Sequence, residues 1–299
     1  MSHRNGVISV LVALPFVSMT GLFGKFLSHS PLLIVQGRTV FAFGALLLAL
    51  FAIRKAIFFK NYREWAWLMV SGTVLAVHWI AFFQAIQVST VAIGLLSFSS
   101  YPLFTTFLEP LFFREQLRSR NIFAVLLVIC GLALMTTSNN EDSNVIISGS
   151  VVQGVLWGLV SGLGFAVLTL LNRGHVRNHS PLLLTCWQNG IAALVILPWS
   201  WSESWDLSGK DWGLLFILGV VCTVGGHTLL INGLRHVRAQ VVSLLIAGME
   251  PVFAILFALF LLGETPSGQT LLGGVLIVGT TVFMISRSEQ RLIQGQSIP

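Results

Sequence analysis

Apolar residues run in long blocks along this chain, and polar residues fall mostly in the short gaps between them. Each block holds about 20 residues, the length a helix needs to cross about 30 Å of hydrocarbon. The pattern predicts ten spans, near 5–24, 31–53, 64–86, 90–113, 120–137, 149–171, 181–199, 211–233, 239–262 and 268–286. The longest gaps are 54–63, 138–148 and 200–210, which leaves no room for a soluble catalytic domain. The first block is followed at once by a second and lacks a clear A-x-A cleavage site. It is therefore expected to be retained as a span rather than removed as a secretory leader.

Composition agrees with the pattern. Only 9% of residues are charged, 55% are hydrophobic and the mean hydropathy is +0.85. A water-soluble domain with that balance would have too little polar surface to stay dispersed. The expected fold class is an all-α integral membrane protein of ten transmembrane helices. The sequence pI of ≈ 9.8 raises the question of nucleic acid, and the placement of charge answers it. With a cytoplasmic N-terminus, fourteen of the 17 Lys and Arg residues fall in cytoplasmic connectors or tails; Lys25 and Lys210 lie outside and Arg38 lies within a span. Such a positive-inside distribution sets orientation, with both termini cytoplasmic, and does not bind DNA. Cys130, Cys186 and Cys222 all fall within spans and no Cys or His pair has ligand spacing, so neither a disulfide, a metal nor any cofactor is expected.

The chain also repeats itself. His29-Ser30-Pro31-Leu32-Leu33 recurs as His179-Ser180-Pro181-Leu182-Leu183. In a register one residue shorter, His78 falls on His227, Pro102 on Pro251 and Glu115 on Glu264. Leu and Val matches mean little in so apolar a chain, whereas His, Pro and Glu are scarce. The expected organisation is a five-span unit over 1–138, a second over 149–287 and a cytoplasmic tail over 288–299. Five is an odd number, so the second unit is inverted relative to the first. The connectors agree: Arg54, Lys55, Lys60 and Arg63 correspond to a stretch holding Glu203, Asp206, Lys210 and Asp211. Inverted repeats suit transport, because two half-structures that exchange shapes open a central site to either side.

Ten spans in two halves, with Pro102 and then Arg114-Glu115 in one and Glu250-Pro251 and then Gly263-Glu264 in the other, resemble the drug/metabolite transporter superfamily, EamA type. Lys25 at the end of the first helix fits the same pattern. The resemblance spans essentially the whole chain. It implies a transporter, in a family whose members carry amino acids, sugars, nucleotide conjugates and drugs.

Candidate site residues are those that hydrocarbon should reject. An ionisable group deep in a bilayer costs about 2–3 kcal/mol even on lenient insertion scales. Arg38 fits a dock for a substrate carboxylate, since a guanidinium grips two oxygens at once, or else a snorkelling or Glu-paired structural arginine. His78 and His227, matched by the repeat, fit ligand or proton contacts around a pseudo-two-fold axis; a shared packing role explains the match equally well. Phe82 follows His78 by one turn and shares its face. Trp79, Trp157 and Trp187 lie inside spans, where lining a cavity competes with lipid or core packing, while Trp65, Trp67, Trp199, Trp201, Trp205 and Trp212 read as an interfacial belt. Gly94, Ser97 and Tyr101 share one helix face. Tyr101 precedes Pro102 as Glu250 precedes Pro251, and both prolines are candidate hinges that free a carbonyl one turn earlier. Glu250, near the middle of the ninth span, is the candidate proton-coupling or gating carboxylate. The expected substrate-binding set is Arg38, His78, Trp79, Phe82, Ser97, Tyr101, Trp187 and His227. Gly154, Gly158 and Gly162 form a ladder that reads as close helix packing. Gln36, Gln188, Asn189 and Asn232 read as helix–helix hydrogen bonds or site lining.

Export of small polar metabolites such as amino acids fits this sparse interior of one arginine, two histidines, one carboxylate and several aromatics. Export is the direction the resemblance implies. Efflux of cationic or aromatic drugs, as in small multidrug-resistance relatives, would use a first-helix carboxylate, yet no Asp or Glu precedes Glu64. A nucleotide-sugar or phosphorylated-metabolite carrier would favour several inward cations. A membrane-embedded enzyme would need H-E-x-x-H or paired aspartates inside spans, and Asp142, Asp206 and Asp211 lie at or near loops. The expected partners are a small-molecule substrate, protons and membrane lipid, with no nucleic acid. The expected protein is not an enzyme and sits in the inner (plasma) membrane as a monomer or homodimer.

Overall fold

A computed structural model describes residues 3–55, 57–59, 61–113, 127, 130, 131, 134, 149–237 and 239–293, and these residues are helical apart from short connectors. The helices are α1 (His3–Phe26), α2 (Pro31–Ala52), α3 (Tyr62–Val88), α4 (Val91–Phe98), α5 (Tyr101–Phe113), α6 (Gly149–His175), α7 (Pro181–Ser200), α8 (Gly209–Phe216), α9 (Gly226–His236), α10 (Ala239–Leu262) and α11 (Gly268–Ile293). A π-helical segment, Ile217–Gly225, joins α8 to α9 so that they run as one rod. Among the described residues, eight stretches are long and apolar enough to cross a membrane, and Gly268–Thr280 is a shorter apolar helix. The span expected over 120–137 lies largely outside the described residues. The expected fourth span is two helices, α4 and α5, interrupted by a turn at Ser99 and Ser100 just before Pro102. In contrast, α10 continues through position 251.

Local chemistry sets the ends of these rods. Ser30 Oγ accepts from Leu33 N with Pro31 in the first turn, Thr90 Oγ1 accepts from Ile93 N, and Ser208 and Asp211 form a reciprocal capping box. At the far end of α10, Gly263 adopts a left-handed φ of 68° that a side chain would resist. The turn it makes brings Glu264 Oε2 to within 3.0 Å of Val91 N at the start of α4. That carboxylate meets one of the unpaired N–H groups of a helix N-terminus, where negative charge is favoured.

Two faces of the bundle follow from the connectors. On one, Gly6 packs on His236 and Val237, Arg235 donates to the carbonyls of Val176 and His179, and Phe59 meets His179. This is the N-terminal face. On the distal face, Lys25 Nζ donates to Ser89 O, Gln87 donates to His29 O, and His29 meets Asp211. Phe113 and Gly149 lie toward opposite faces, since Glu109 near the end of α5 pairs with Arg173 near the end of α6, whereas Gly154 at the start of α6 packs on Ser89. Contacts between the two sequence halves dominate the core: α3 lies along α6 and α7, α2 along α7 and the π segment, and α1 along α9 and α10. The glycine ladder is the α6 side of this packing. A Cβ at Gly158 would come within 2.5 Å of Ser97 Cβ, and one at Gly154 within 2.5 Å of Ser89 Cβ.

Candidate functional site

Where the halves meet, Arg38 is fully buried. Its guanidinium carbon stands 3.5 Å from the centroid of the Trp79 ring, with Phe83 further off at 5.7 Å. A cation over an indole face is attracted by the ring quadrupole, and desolvation strengthens the attraction to about 2 kcal/mol. Two of its nitrogens, Nε and Nη2, donate to Thr223 Oγ1 at 3.2 and 2.7 Å. Thr223 in turn donates to Leu218 O, five residues back. That spacing belongs to the π segment, whose wider turn presents the hydroxyl toward α2. Close approach is possible because Gly219 has no side chain: a Cβ there would sit 2.7 Å from Arg38 O. The third nitrogen, Nη1, is buried with no hydrogen-bond partner, and among the described residues no carboxylate lies within ion-pairing distance of Arg38.

From Arg38 a row of rings crosses the core. Trp79 stacks on His227 with centroids 5.4 Å apart and sits 4.7 Å from the His78 ring. His78 lies 5.5 Å from Phe98 and 5.2 Å from Phe165, and Phe98 stacks on Tyr101 at 5.0 Å. Phe82 joins the row through Trp79 and Phe98. His78 Nδ1 is held 2.9 Å from both the hydroxyl and the carbonyl of Ser161 on α6. The Tyr101 hydroxyl donates to Ser243 O on α10, two helical turns before Glu250 on the same helix. Glu250 is buried, and among the described residues its Oε2 has no hydrogen-bond partner. The arrangement therefore offers an unfilled cationic donor at one end, an unfilled carboxyl oxygen at the other and aromatic faces between. Buried polar atoms are nearly always satisfied, so the unsatisfied ones at the two ends of this row, among several elsewhere in the protein, make it a candidate place for something else to complete.

Of the residues expected from sequence, Arg38, His78, Trp79, Phe82, Tyr101 and His227 are brought into this row, and Glu250 adjoins its Tyr101 end. Ser97 is buried against Gly158, its hydroxyl without a partner. Pro102 opens α5 just beyond the row, and Pro251 follows Glu250 in α10. Trp187 lies elsewhere. It packs on Trp65 at 4.6 Å, with Phe43 and Phe58, and donates to Ile57 O at 2.6 Å, toward the N-terminal face. Trp157 faces outward from α6. Gln188 donates to Asn172 and Asn232 to Ser9, so both make helix–helix hydrogen bonds. Sequence reasoning missed Thr223, Phe98, Phe165, Ser161 and Ser243. The π spacing and these contacts between halves leave no mark in a hydropathy pattern.

Comparison with known proteins identifies the family. Residues 4–137 and 152–286 each match the EamA-like transporter family. The chain is 28% identical over 295 residues to the transporter YwfM of Bacillus subtilis (strain 168), covering 96% of each. It is 27% identical over 224 residues to a pseudopaline exporter of Pseudomonas aeruginosa, covering 75% of each. An S-adenosylmethionine uptake transporter of Rickettsia felis is 27% identical over 190 residues, covering 62% of this chain and 60% of its own. A solved structure superposes with a TM-score of 0.71 over 95% of this chain and 98% of the other, at 18% identity, which establishes a shared fold. Family, fold and apolar spans converge: the chain is a multi-pass membrane protein and belongs to the EamA-like transporter family of the drug/metabolite transporter superfamily.

Proposed function

We propose that this protein is a secondary transporter that exports small polar metabolites, with amino acids or close relatives as substrates, across the inner (plasma) membrane. Both termini are cytoplasmic in this reading, and the two halves form inverted five-helix units that alternate around the Arg38 row. The observation that carries the proposal is the unpartnered Nη1 of a fully buried Arg38. A buried charge without a counter-ion is costly, so a site that keeps one is completed by an anionic group of its cargo. A substrate carboxylate takes the free edge of the guanidinium, while Trp79, Phe82 and Phe98 accept an apolar or aromatic side chain. The second unsatisfied group, Glu250, supplies a carboxyl for a substrate ammonium or for a coupled proton. Among the relatives, S-adenosylmethionine is an amino-acid derivative bearing an aromatic base, a cargo of the same chemical kind.

Purified protein in liposomes, assayed for flux against a panel of labelled amino acids, cationic dyes and phosphorylated sugars, tests this directly. Flux of zwitterions with a free α-carboxylate is expected, and esterifying that carboxylate should abolish it. Transport of cationic dyes alone would instead favour drug efflux.

A further inference from the structure

The two faces of the bundle are closed by the same device. On the distal face, His29 in the α1–α2 connector places Nε2 3.3 Å from Asp211 Oδ2 in the first turn of α8. On the N-terminal face, His179 in the α6–α7 connector places Nε2 3.2 Å from Glu64 Oε2 in the first turn of α3. Each pair joins one family-matched half to the other, and the two run in opposite senses: the histidine comes from the first half in one and from the second half in the other. The likeness extends to the backbone. His29 O accepts from Gln87 near the end of α3, and His179 O accepts from Arg235 near the end of α9. Side-chain exposure is also alike, 21% and 19% for the distal pair against 22% and 24% for the other, with the contacting Glu64 Oε2 itself buried.

We propose that His29–Asp211 and His179–Glu64 are the two latches of the transport cycle, each holding one mouth shut and opening in turn. The proposal rests on the transport reading above but not on the identity of the cargo. In each latch a carboxylate begins a helix that carries central residues: α3 holds His78 and Trp79, and the α8–α9 rod holds Thr223 and His227. Releasing the carboxylate removes the polar tie between that helix end and the other half, leaving ring contacts such as Trp65–Trp187 and Phe41–Trp212 to slide apart as the Arg38 row gains a path to one side. The N-terminal latch also walls a pocket of ≈ 410 Å³, lined by Lys55, Phe58, Asn61, Glu64, Asn178 and His179, which is the vestibule that its opening would extend inward. The distal latch is reinforced by the Ser208 cap, which donates to the same Asp211 carboxylate at 2.7 Å through its hydroxyl.

Thiol labelling from each side tests the proposal without any substrate. The reporter is Thr223→Cys in a chain whose Cys130, Cys186 and Cys222 are replaced by serine, in oriented membrane vesicles treated with a membrane-impermeant maleimide. With both latches intact, labelling should be slow from either side. His29→Ala should raise labelling from the distal side about two- to fivefold and leave the N-terminal side unchanged, the shift expected from losing one partly exposed polar contact. Glu64→Ala should do the reverse. The exchanged pairs His29→Asp with Asp211→His, and His179→Glu with Glu64→His, should restore slow labelling, which a merely misfolded variant would not. Equal increases from both sides, or none, overturn the latches. Failure of the flux assay alongside one-sided labelling would overturn the cargo and leave the latches standing.

Discussion

Among the described residues, Arg38 and Arg173 are both drawn away from water and are treated in opposite ways. Arg173, near the end of α6, is paired by Nη1 with Glu109 Oε1, a carboxylate supplied by α5. Arg38 lies deeper, and the chain gives it an indole face, a threonine hydroxyl and an empty edge. Under the proposed transport reading, the contrast separates a structural charge from a working one. Where a cation only has to be tolerated, the fold neutralises it with its own carboxylate. Where it has to bind, neutralising it in advance would oppose the substrate, so the fold stabilises the charge with groups that leave room for an anion.

The largest expected effects test that separation. Arg38→Ala should reduce flux by at least about 100-fold, as loss of a buried charge-assisted contact of about 3 kcal/mol implies, while leaving membrane insertion and monodispersity intact. Arg173→Ala should act on stability instead. Breaking the Arg173–Glu109 pair should show as a lower thermal midpoint in detergent, and flux per folded molecule should stay near the parent value. Paired measurements of flux and thermal midpoint on both variants check this. If Arg173→Ala removes flux at unchanged stability, or Arg38→Ala unfolds the protein, the two roles are reversed.

Glu250 extends the comparison to carboxylates. Glu109 is satisfied by Arg173, whereas Glu250 Oε2 is buried without a partner. A carboxyl that takes up and releases a proton as access alternates can couple substrate movement to a proton gradient. Glu250→Gln keeps the shape and removes the titration. Proton-driven accumulation should fall by about tenfold or more, a cost of about 1.4 kcal/mol in driving force, while substrate exchange across the same membrane persists. Accumulation that continues unchanged would make Glu250 a packing residue.

The order in which these residues became visible has a physical basis. Helix existence follows from hydropathy, and the described spans begin and end within a few residues of the sequence pattern, save where α11 runs on to Ile293. Arg38 was legible because a charge inside an apolar run is an anomaly in itself. His78 and His227 were legible because a scarce residue recurs in register. Thr223 was not, since one threonine in a span carries no such signal and the π segment that aims it depends on tertiary packing. Phe98 and Phe165 were lost among 22 phenylalanines, as hydropathy does not tell a ring facing a partner from one facing lipid. The break between α4 and α5 was half-legible: Pro102 marked the place, but the same reasoning applied to Pro251 meets a helix that does not stop. The latches were half-legible: the repeat set His29 against His179, but nothing in the sequence paired either with a carboxylate of the opposite half.

Trp187 provides the smallest and most discriminating test, because sequence reasoning put it with Arg38 and the structure puts it with Trp65. Helical spacing fixes which side of a helix a residue faces, whereas its depth depends on where the helix starts. Trp187 lies about two turns into α7, which begins at the N-terminal face, and Arg38 about two turns into α2, which begins at the distal face. Residues at equivalent steps in the two halves therefore sit at opposite depths. Trp187 accordingly meets the 57–59 segment, holding Ile57 O through its indole N–H. Trp187→Phe removes that hydrogen bond and keeps most of the ring packing. The expected cost is about 1 kcal/mol of stability, with flux within about twofold of the parent. Trp79→Phe, by contrast, weakens the face under the guanidinium and should lower apparent substrate affinity by about fivefold, since indole is the better partner for a cation. Measured side by side in liposomes, the two substitutions should differ in affinity and agree in expression. If Trp187→Phe proves the more damaging to affinity, the binding site extends to the N-terminal aromatic cluster and the Arg38 row is only part of it.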